Sequence, residues 1–465
     1  MKNTVKIIAL ALVVAVGLAS CEKKTDEDPT TTVEWTWVAG SETGNQPGAY
    51  GTIGTPAATN IPGARENAAA WTGADGKFWL FGGYGHDSTG YPGRLNDLWT
   101  FDISTSAWTW VAGSALRDQA GLYGTQGVAD PANVPGARNG AASWIDTDGR
   151  IWLFGGLGYD GTGAIGQNND LWRFDPASSA WTWISGSSVR YQPGAYGTLG
   201  VADPLNVPGA RLGAACWEDA DGNFWLFGGF GYDAAGDKGR LNDLWKFDPA
   251  LTYWTWVSGS DAIEEAGTYG TKGEAAAENV PGARSQALAW ADADGLFWIF
   301  GGNGIVDSDT EGRLDDLWKF DPSTSEWTWV AGYALTNVSG AYGTQGTASV
   351  DNLPGSRYGS TRWLDSNGIV WLFGGYGIDI GGSEGWLNDL WKFSPETLDW
   401  TWVAGNSYHG QGGSYGTKGT ASTSNIPGAR YLHVSWFDAQ GRYWIFGGYG
   451  LDSVSAGGRL NDLWR

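Results

Sequence analysis

Two sets of charged residues recur at fixed spacing, and they are the first groups in this chain that could do chemistry. Arg65, Arg138, Arg211, Arg284, Arg357 and Arg430 each close a Pro-Gly-Ala-Arg or Pro-Gly-Ser-Arg motif. Asp97, Asp170, Asp243, Asp316, Asp389 and Asp462 follow them in the same order. Arranged around an axis, six guanidiniums would form an anion-binding ring. Bridged to the aspartates or to loop carbonyls they would be structural, and repeated charges favour that second reading. Residues outside the repeat have a better claim to specificity. Trp386 stands where positions 94, 240, 313 and 459 carry arginine. It is expected in a solvent-facing loop, where an indole would stack on a sugar ring or anchor a protein partner; loop packing is the alternative. His86, Tyr91, Tyr191, Tyr333 and His409 occupy similarly variable positions and join it as ligand-binding candidates.

No catalytic residue can be assigned from spacing. His86, His409 and His433 fall at different places in the pattern and offer no metal-ligand motif. Neither G-x-S-x-G nor H-E-x-x-H occurs. Asp307, Asp309 and Glu311 could gather Ca²⁺, although a solvated acidic loop is the preferred reading, and no cofactor is expected. The balance of 28 Lys and Arg against 50 Asp and Glu argues against a nucleic-acid partner, because little is available to neutralise phosphates.

The elements that must carry these residues follow from an internal repeat. The Pro-Gly motif begins at Pro62, Pro135, Pro208, Pro281, Pro354 and Pro427, a constant step of 73 residues. Phe-Gly-Gly begins at Phe81, Phe154, Phe227, Phe300, Phe373 and Phe446, and Trp-Thr-Trp at Trp35, Trp108, Trp181, Trp254, Trp327 and Trp400, in the same steps. Of the 31 tryptophans only Trp386 lies outside repeated positions. Each copy predicts four short strands. In the first they are strand a near 66–72, b over 77–81, c over 97–101 and d over 107–112. Turn sequences such as Asp219–Gly222 and Asp292–Gly295 join a to b. Tyr-Gly-Thr motifs, from Tyr50 to Tyr415, are read as ordering the segments between copies.

Gly82-Gly83 after an aromatic strand, Trp99, and Trp108 on the fourth strand together resemble the kelch-repeat family, and the match recurs in every copy. The resemblance implies an all-β fold, a six-bladed kelch-type β-propeller of four-stranded antiparallel blades similar to the central domain of galactose oxidase. The copper chemistry of that enzyme does not carry over, because it needs a Tyr–Cys crosslink and Cys216 falls at a core position of strand a. The copies are also longer than usual kelch units, by some twenty residues between strands d and a.

The chain begins with a lone strand d and stops at Arg465 within strand c. A ring closed by a composite blade, the N-terminal strand d with C-terminal strands a–c, is therefore expected. Connections b–c, Gly82 to Asn96 in copy one, and d–a are expected to be long and to share one face, where recognition would sit.

Residues 1–20 read as a signal peptide, with Lys2 and Lys6 ahead of an apolar run ending in Leu18-Ala19-Ser20-Cys21. That ending resembles a bacterial lipobox, which implies cleavage before Cys21 and lipidation of it. Residues 21–32 read as a flexible tether and 33–465 as the propeller. Glu22 and the acidic cluster after it resemble outer-membrane lipoproteins of Bacteroidetes-type bacteria. A monomer held in the cell envelope, binding a glycan or protein through its loop face, is the leading expectation. A carbohydrate-active enzyme (epimerase, lyase or hydrolase) at the channel mouth is the alternative, and a purely structural role a third.

Overall fold

The computed structural model describes residues 33–307 and 310–465. The signal, tether and lipidation expectations for residues 1–32, and Asp309, fall outside the described residues. Every regular element described is a β-strand, and the strands form antiparallel four-stranded sheets repeated along the chain, consistent with a propeller. In the first copy, Phe78–His86 pairs with Pro92–Asp102, which pairs with Ala107–Ala112.

Strand a is broken in two, Arg65–Glu66 and Ala69–Thr72, and both pieces pair with strand b. The break lies at Asn67, whose φ of 55° is left-handed. Its counterparts Gly140, Gly213, Gln286, Gly359 and Leu432 all share a positive φ. That conformation turns each peptide toward the next copy. The N–H of Gly140 donates to the carbonyl of Asn67 (2.9 Å), Gly213 to Gly140 (2.8 Å) and Gln286 to Gly213 (2.6 Å). Gly359 donates to Gln286 (3.2 Å), Leu432 to Gly359 (2.7 Å), and Asn67 to Leu432 (2.7 Å).

The b–c connection differs from expectation. Strands b and c continue past the double glycine as one long hairpin, and the turn spans only residues 87–91. The register shifts between Phe81 and Gly83, a bulge that Gly82 (φ 63°) and Gly83 (φ 99°) permit. A Cβ on Gly82 would lie 2.8 Å from the carbonyl oxygen of Arg138 in the next copy. The glycines read in sequence as strand ends therefore lie inside the hairpin, and at Gly82 its backbone meets that of the next copy.

Between sheets the core is aromatic. Phe78 stacks on Trp436 at 5.0 Å, Phe224 on Trp144 at 5.2 Å, and Phe297 on Trp217 at 5.5 Å. Burying one such ring contributes roughly 1.5–3 kcal/mol, so each junction is held by packing; the described cysteine, Cys216, is free.

At the chain ends, Trp35–Ala39 pairs with Leu463–Trp464 in the register Trp37 to Trp464. Thr36 and Arg465 exchange backbone hydrogen bonds of 2.7 and 3.0 Å. Trp35 packs on Phe373 and Tyr443, and Trp37 meets Tyr415 edge-on at 5.1 Å.

Candidate functional site

Arg65 opens strand a and Asp97 lies on strand c, and the antiparallel sheet brings them together. Nη1 and Nη2 of Arg65 donate to the two carboxylate oxygens of Asp97 at 2.8 and 2.7 Å. Nε and Nη1 also reach the carbonyls of Gly63 and Gly82. Asp97 accepts further bonds from Tyr50 Oη (2.6 Å) and Trp99 Nε1 (2.7 Å). Arg138, Arg211, Arg284, Arg357 and Arg430 repeat the arrangement with their own aspartates. Burial alone would pull the Arg65 guanidinium down, but the Asp97 carboxylate holds it above its ordinary value. Every one of these arginine side chains is no more than 1% exposed. The structure thus places them inside the sheets, locking strand a to strand c and ordering the Tyr-Gly-Thr segment, rather than in a solvent-facing ring.

Beside these clusters each copy sets three variable side chains in a row across strands a, b and c. The registers are Glu66 opposite Tyr84 and Tyr84 opposite Arg94 in copy one, Tyr358, Tyr376 and Trp386 in copy five, and Tyr431, Tyr449 and Arg459 in copy six. Directly opposed residues share a sheet face, so each row presents together. Trp386 is consequently on the strand Glu384–Ser394 and half-buried, not in a solvent-facing loop. The reason is the hairpin continuation described above. Its indole packs against Tyr449 at 5.5 Å.

The rows of copies five and six merge into an aromatic arc. Tyr358 lies 5.7 Å from Tyr376 and 5.8 Å from Tyr431, and Tyr431 lies 6.2 Å from Tyr449. All five rings of the arc are partly exposed. Ion pairs flank it. Arg459 binds Glu66 at 2.9 Å and covers the Tyr84 ring at 4.2 Å. Arg313 binds Glu384 at 2.7 Å, and Tyr376 Oη donates to the same carboxylate at 3.3 Å. Burial raises the Glu66 carboxyl despite the opposing pull of Arg459. Burial also raises the Tyr358 and Tyr431 phenols, so both are neutral donors at physiological pH.

The remaining candidates are dispersed. His86 is only 6% exposed, and burial lowers its pKa, leaving a neutral ring. Tyr91 is 63% exposed beside Arg117. Tyr191 is exposed, with its hydroxyl donating to the Ile165 carbonyl, and Tyr333 is exposed near Lys272. His409 holds Asp379 through Nδ1 at 2.6 Å. The Gly410 N–H donates to the Trp386 carbonyl, so His409 is the one candidate brought beside Trp386. Glu311 pairs with Arg240. Among the described residues no group of three or more His, Cys, Asp or Glu is arranged to hold a metal.

Sequence reasoning missed Tyr358, Tyr376, Tyr431 and Tyr449. Their signal was available: superposing the copies shows a variable residue directly after Phe-Gly-Gly, at Tyr376 and Tyr449, and another directly after the motif arginine, at Tyr358 and Tyr431. His433 was also set aside. Its Nε2 meets Thr361 Oγ1 at 2.5 Å, and Thr361 meets Tyr443 Oη at 2.7 Å. Burial, reinforced by Arg430, keeps this imidazole neutral, and no carboxylate orients its Nδ1.

No family model matches the chain. Over 266 residues it is similar, at 25% identity, to a xyloglucanase from a Paenibacillus species. The match covers 52% of this chain and 22% of that enzyme's own length.

Proposed function

We propose that residues 33–465 form a six-bladed propeller of the kelch kind, closed by a split blade, that binds a glycan on the aromatic arc of copies five and six. The closed ring is supported by the head-to-tail peptide hydrogen bonds from Asn67 round to Leu432 and by the pairing of Trp37 with Trp464. The observation carrying the glycan reading is the arc itself. Five partly exposed rings, Tyr358, Tyr376, Trp386, Tyr431 and Tyr449, are edged by Arg313–Glu384 and Arg459–Glu66 pairs. Aromatic faces take the C–H faces of sugars, and the flanking polar groups exchange hydrogen bonds with hydroxyls. We further infer anchorage in the cell envelope, with the outer membrane as its site, through a lipidated Cys21.

Glucan chains like the one named in the matched enzyme are the first ligands to try. With the full-length chain, binding to xyloglucan oligosaccharides is expected by calorimetry. Trp386→Ala should weaken it about tenfold, equivalent to about 1.4 kcal/mol, with an unchanged unfolding midpoint. Failure to bind any oligosaccharide, or equal binding by the variant, refutes the reading.

A second reading, a glycan-active enzyme, is favoured by the likeness to a xyloglucanase. Its readout is new reducing ends appearing on incubation with the polysaccharide.

A further inference from the structure

Arg362 is the one arginine in a set of small residues. It lies on the strand Thr361–Leu364, and the matching positions in other copies are Ala70, Ser143, Cys216, Ala289 and Ser435. All of these strands but that of Ser143 line a cavity of about 490 Å³ whose lining includes Arg362, Ser360, Thr361, Ser435, Cys216 and Trp71. The Nε of Arg362 donates to the Ala289 carbonyl at 2.6 Å, which fixes the plane of the guanidinium. Among the described residues no carboxylate pairs with it. Burial lowers its pKa, and the titratable groups acting on it are Cys216 and Tyr443. Both of those are themselves raised by burial, so both are neutral at physiological pH. A chain with a net charge of −22 therefore holds, among the described residues, a half-buried cation on the wall of this cavity without a counter-charge.

A guanidinium drawn partly out of water is stabilised by a facing anion, and Arg362 has none. A second unmatched donor lies on the same wall. Trp71 is 6% exposed and its Nε1 has no acceptor, as is true of Trp290 at the equivalent position away from the cavity, whereas Trp144, Trp217 and Trp436 donate to backbone carbonyls.

We propose that this cavity binds a small oxyanion, a carboxylate or phosphate group, through the Nη1 and Nη2 fork of Arg362. A guanidinium held by its Nε presents two parallel N–H groups that match two oxygens of such a group. Ser435, Thr361 and Cys216 supply short polar side chains that leave room for the ligand's body. The aromatic arc contributes no residue to the cavity, so glycan binding there and anion binding here stand or fall separately.

The test uses the full-length chain at constant ionic strength, set with NaCl. Inorganic phosphate, acetate and D-glucuronate are titrated separately, with glucose as the neutral control. At saturation an oxyanion is expected to raise the melting temperature by about 2–4 °C, and Arg362→Met should abolish the rise. A rise with phosphate alone identifies a free or esterified phosphate, and one with glucuronate alone an acidic sugar. Should the variant fail to fold, modification of Arg362 by phenylglyoxal in the unaltered chain is followed by peptide mass. The effective anion is expected to slow it roughly fivefold, the change for a ligand at about four times its Kd. Absence of any anion-specific shift, an equal shift in Arg362→Met, or no protection from phenylglyoxal overturns the proposal.

Discussion

Asp170→Ala is expected to destabilise the protein by about 3–5 kcal/mol, the range for breaking a buried ion pair from one side. Asp170 gathers four donors: Arg138 Nη1 and Nη2 at 2.7 Å each, Tyr123 Oη at 2.6 Å and Trp172 Nε1 at 2.6 Å. All three partner residues are buried, so water cannot replace the lost oxygens. Alanine would leave a charged guanidinium, a phenol and an indole without their acceptor. Tyr123→Phe removes a single donor and leaves the ion pair intact, and is expected to cost only about 1 kcal/mol. Urea unfolding of the two variants beside the parent chain makes the comparison. If Asp170→Ala falls within error of Tyr123→Phe, the cluster contributes far less than its geometry implies.

The second large effect has the opposite sign. Five copies carry asparagine just before the ion-paired aspartate, at 96, 169, 242, 388 and 461, and each donates Nδ2 to a proline carbonyl of the following copy. Copy four has Asp315 there, buried, with Oδ2 lacking a partner. Burial first, and then the charge of Asp316, push its carboxyl up to about 8. A folded pKa above the ordinary 3.8 means that the native state holds a proton the unfolded chain gives up. Stability from this group is complete below about pH 4, declines as pH rises toward 8, and is flat above that. Asp315→Asn supplies a permanent donor and removes the slope. The variant should match the parent near pH 4 and exceed it by on the order of 2–4 kcal/mol at pH 9. Denaturation midpoints measured from pH 4 to 9 test this, and a gap that does not widen with pH would falsify it.

Much of the architecture was legible because identical spacing leaves little freedom. A residue such as Trp108, recurring every 73 positions on a short aromatic run, can only be core in a repeated sheet. Paired glycines misled the reading at Gly82-Gly83. Glycines weaken a strand; here they form a bulge in which Gly82 meets the next copy's backbone at Arg138 and Gly83 meets Glu66 and Ala68 of its own strand a, neighbours that are remote in sequence. The same error moved Trp386 from a strand to a loop. Arg65 and Asp97 were correctly paired as one of two readings, since complementary charges at repeated positions have few other partners. The arc of Tyr358, Tyr376, Tyr431 and Tyr449 escaped notice because tyrosine is common in strands and only the cross-strand registers bring these four together. Arg362 was hidden for the same reason: its isolation from carboxylates exists only in three dimensions.

The pairing of Trp37 with Trp464 also sets a schedule for synthesis. Residues 35–39 are made more than four hundred positions ahead of their partners at 463–464. Throughout elongation that segment carries two large indoles and an unmet row of peptide groups, and a nascent chain in this condition is open to wrong associations. Copies one to five can collapse in order as they emerge, each against its predecessor. The sixth waits for residues 463–464, then recruits residues 35–39 across more than four hundred positions. Such a non-local step is slow, and it makes the junction of Trp35–Ala39 with Leu463–Trp464 one of the last contacts able to form.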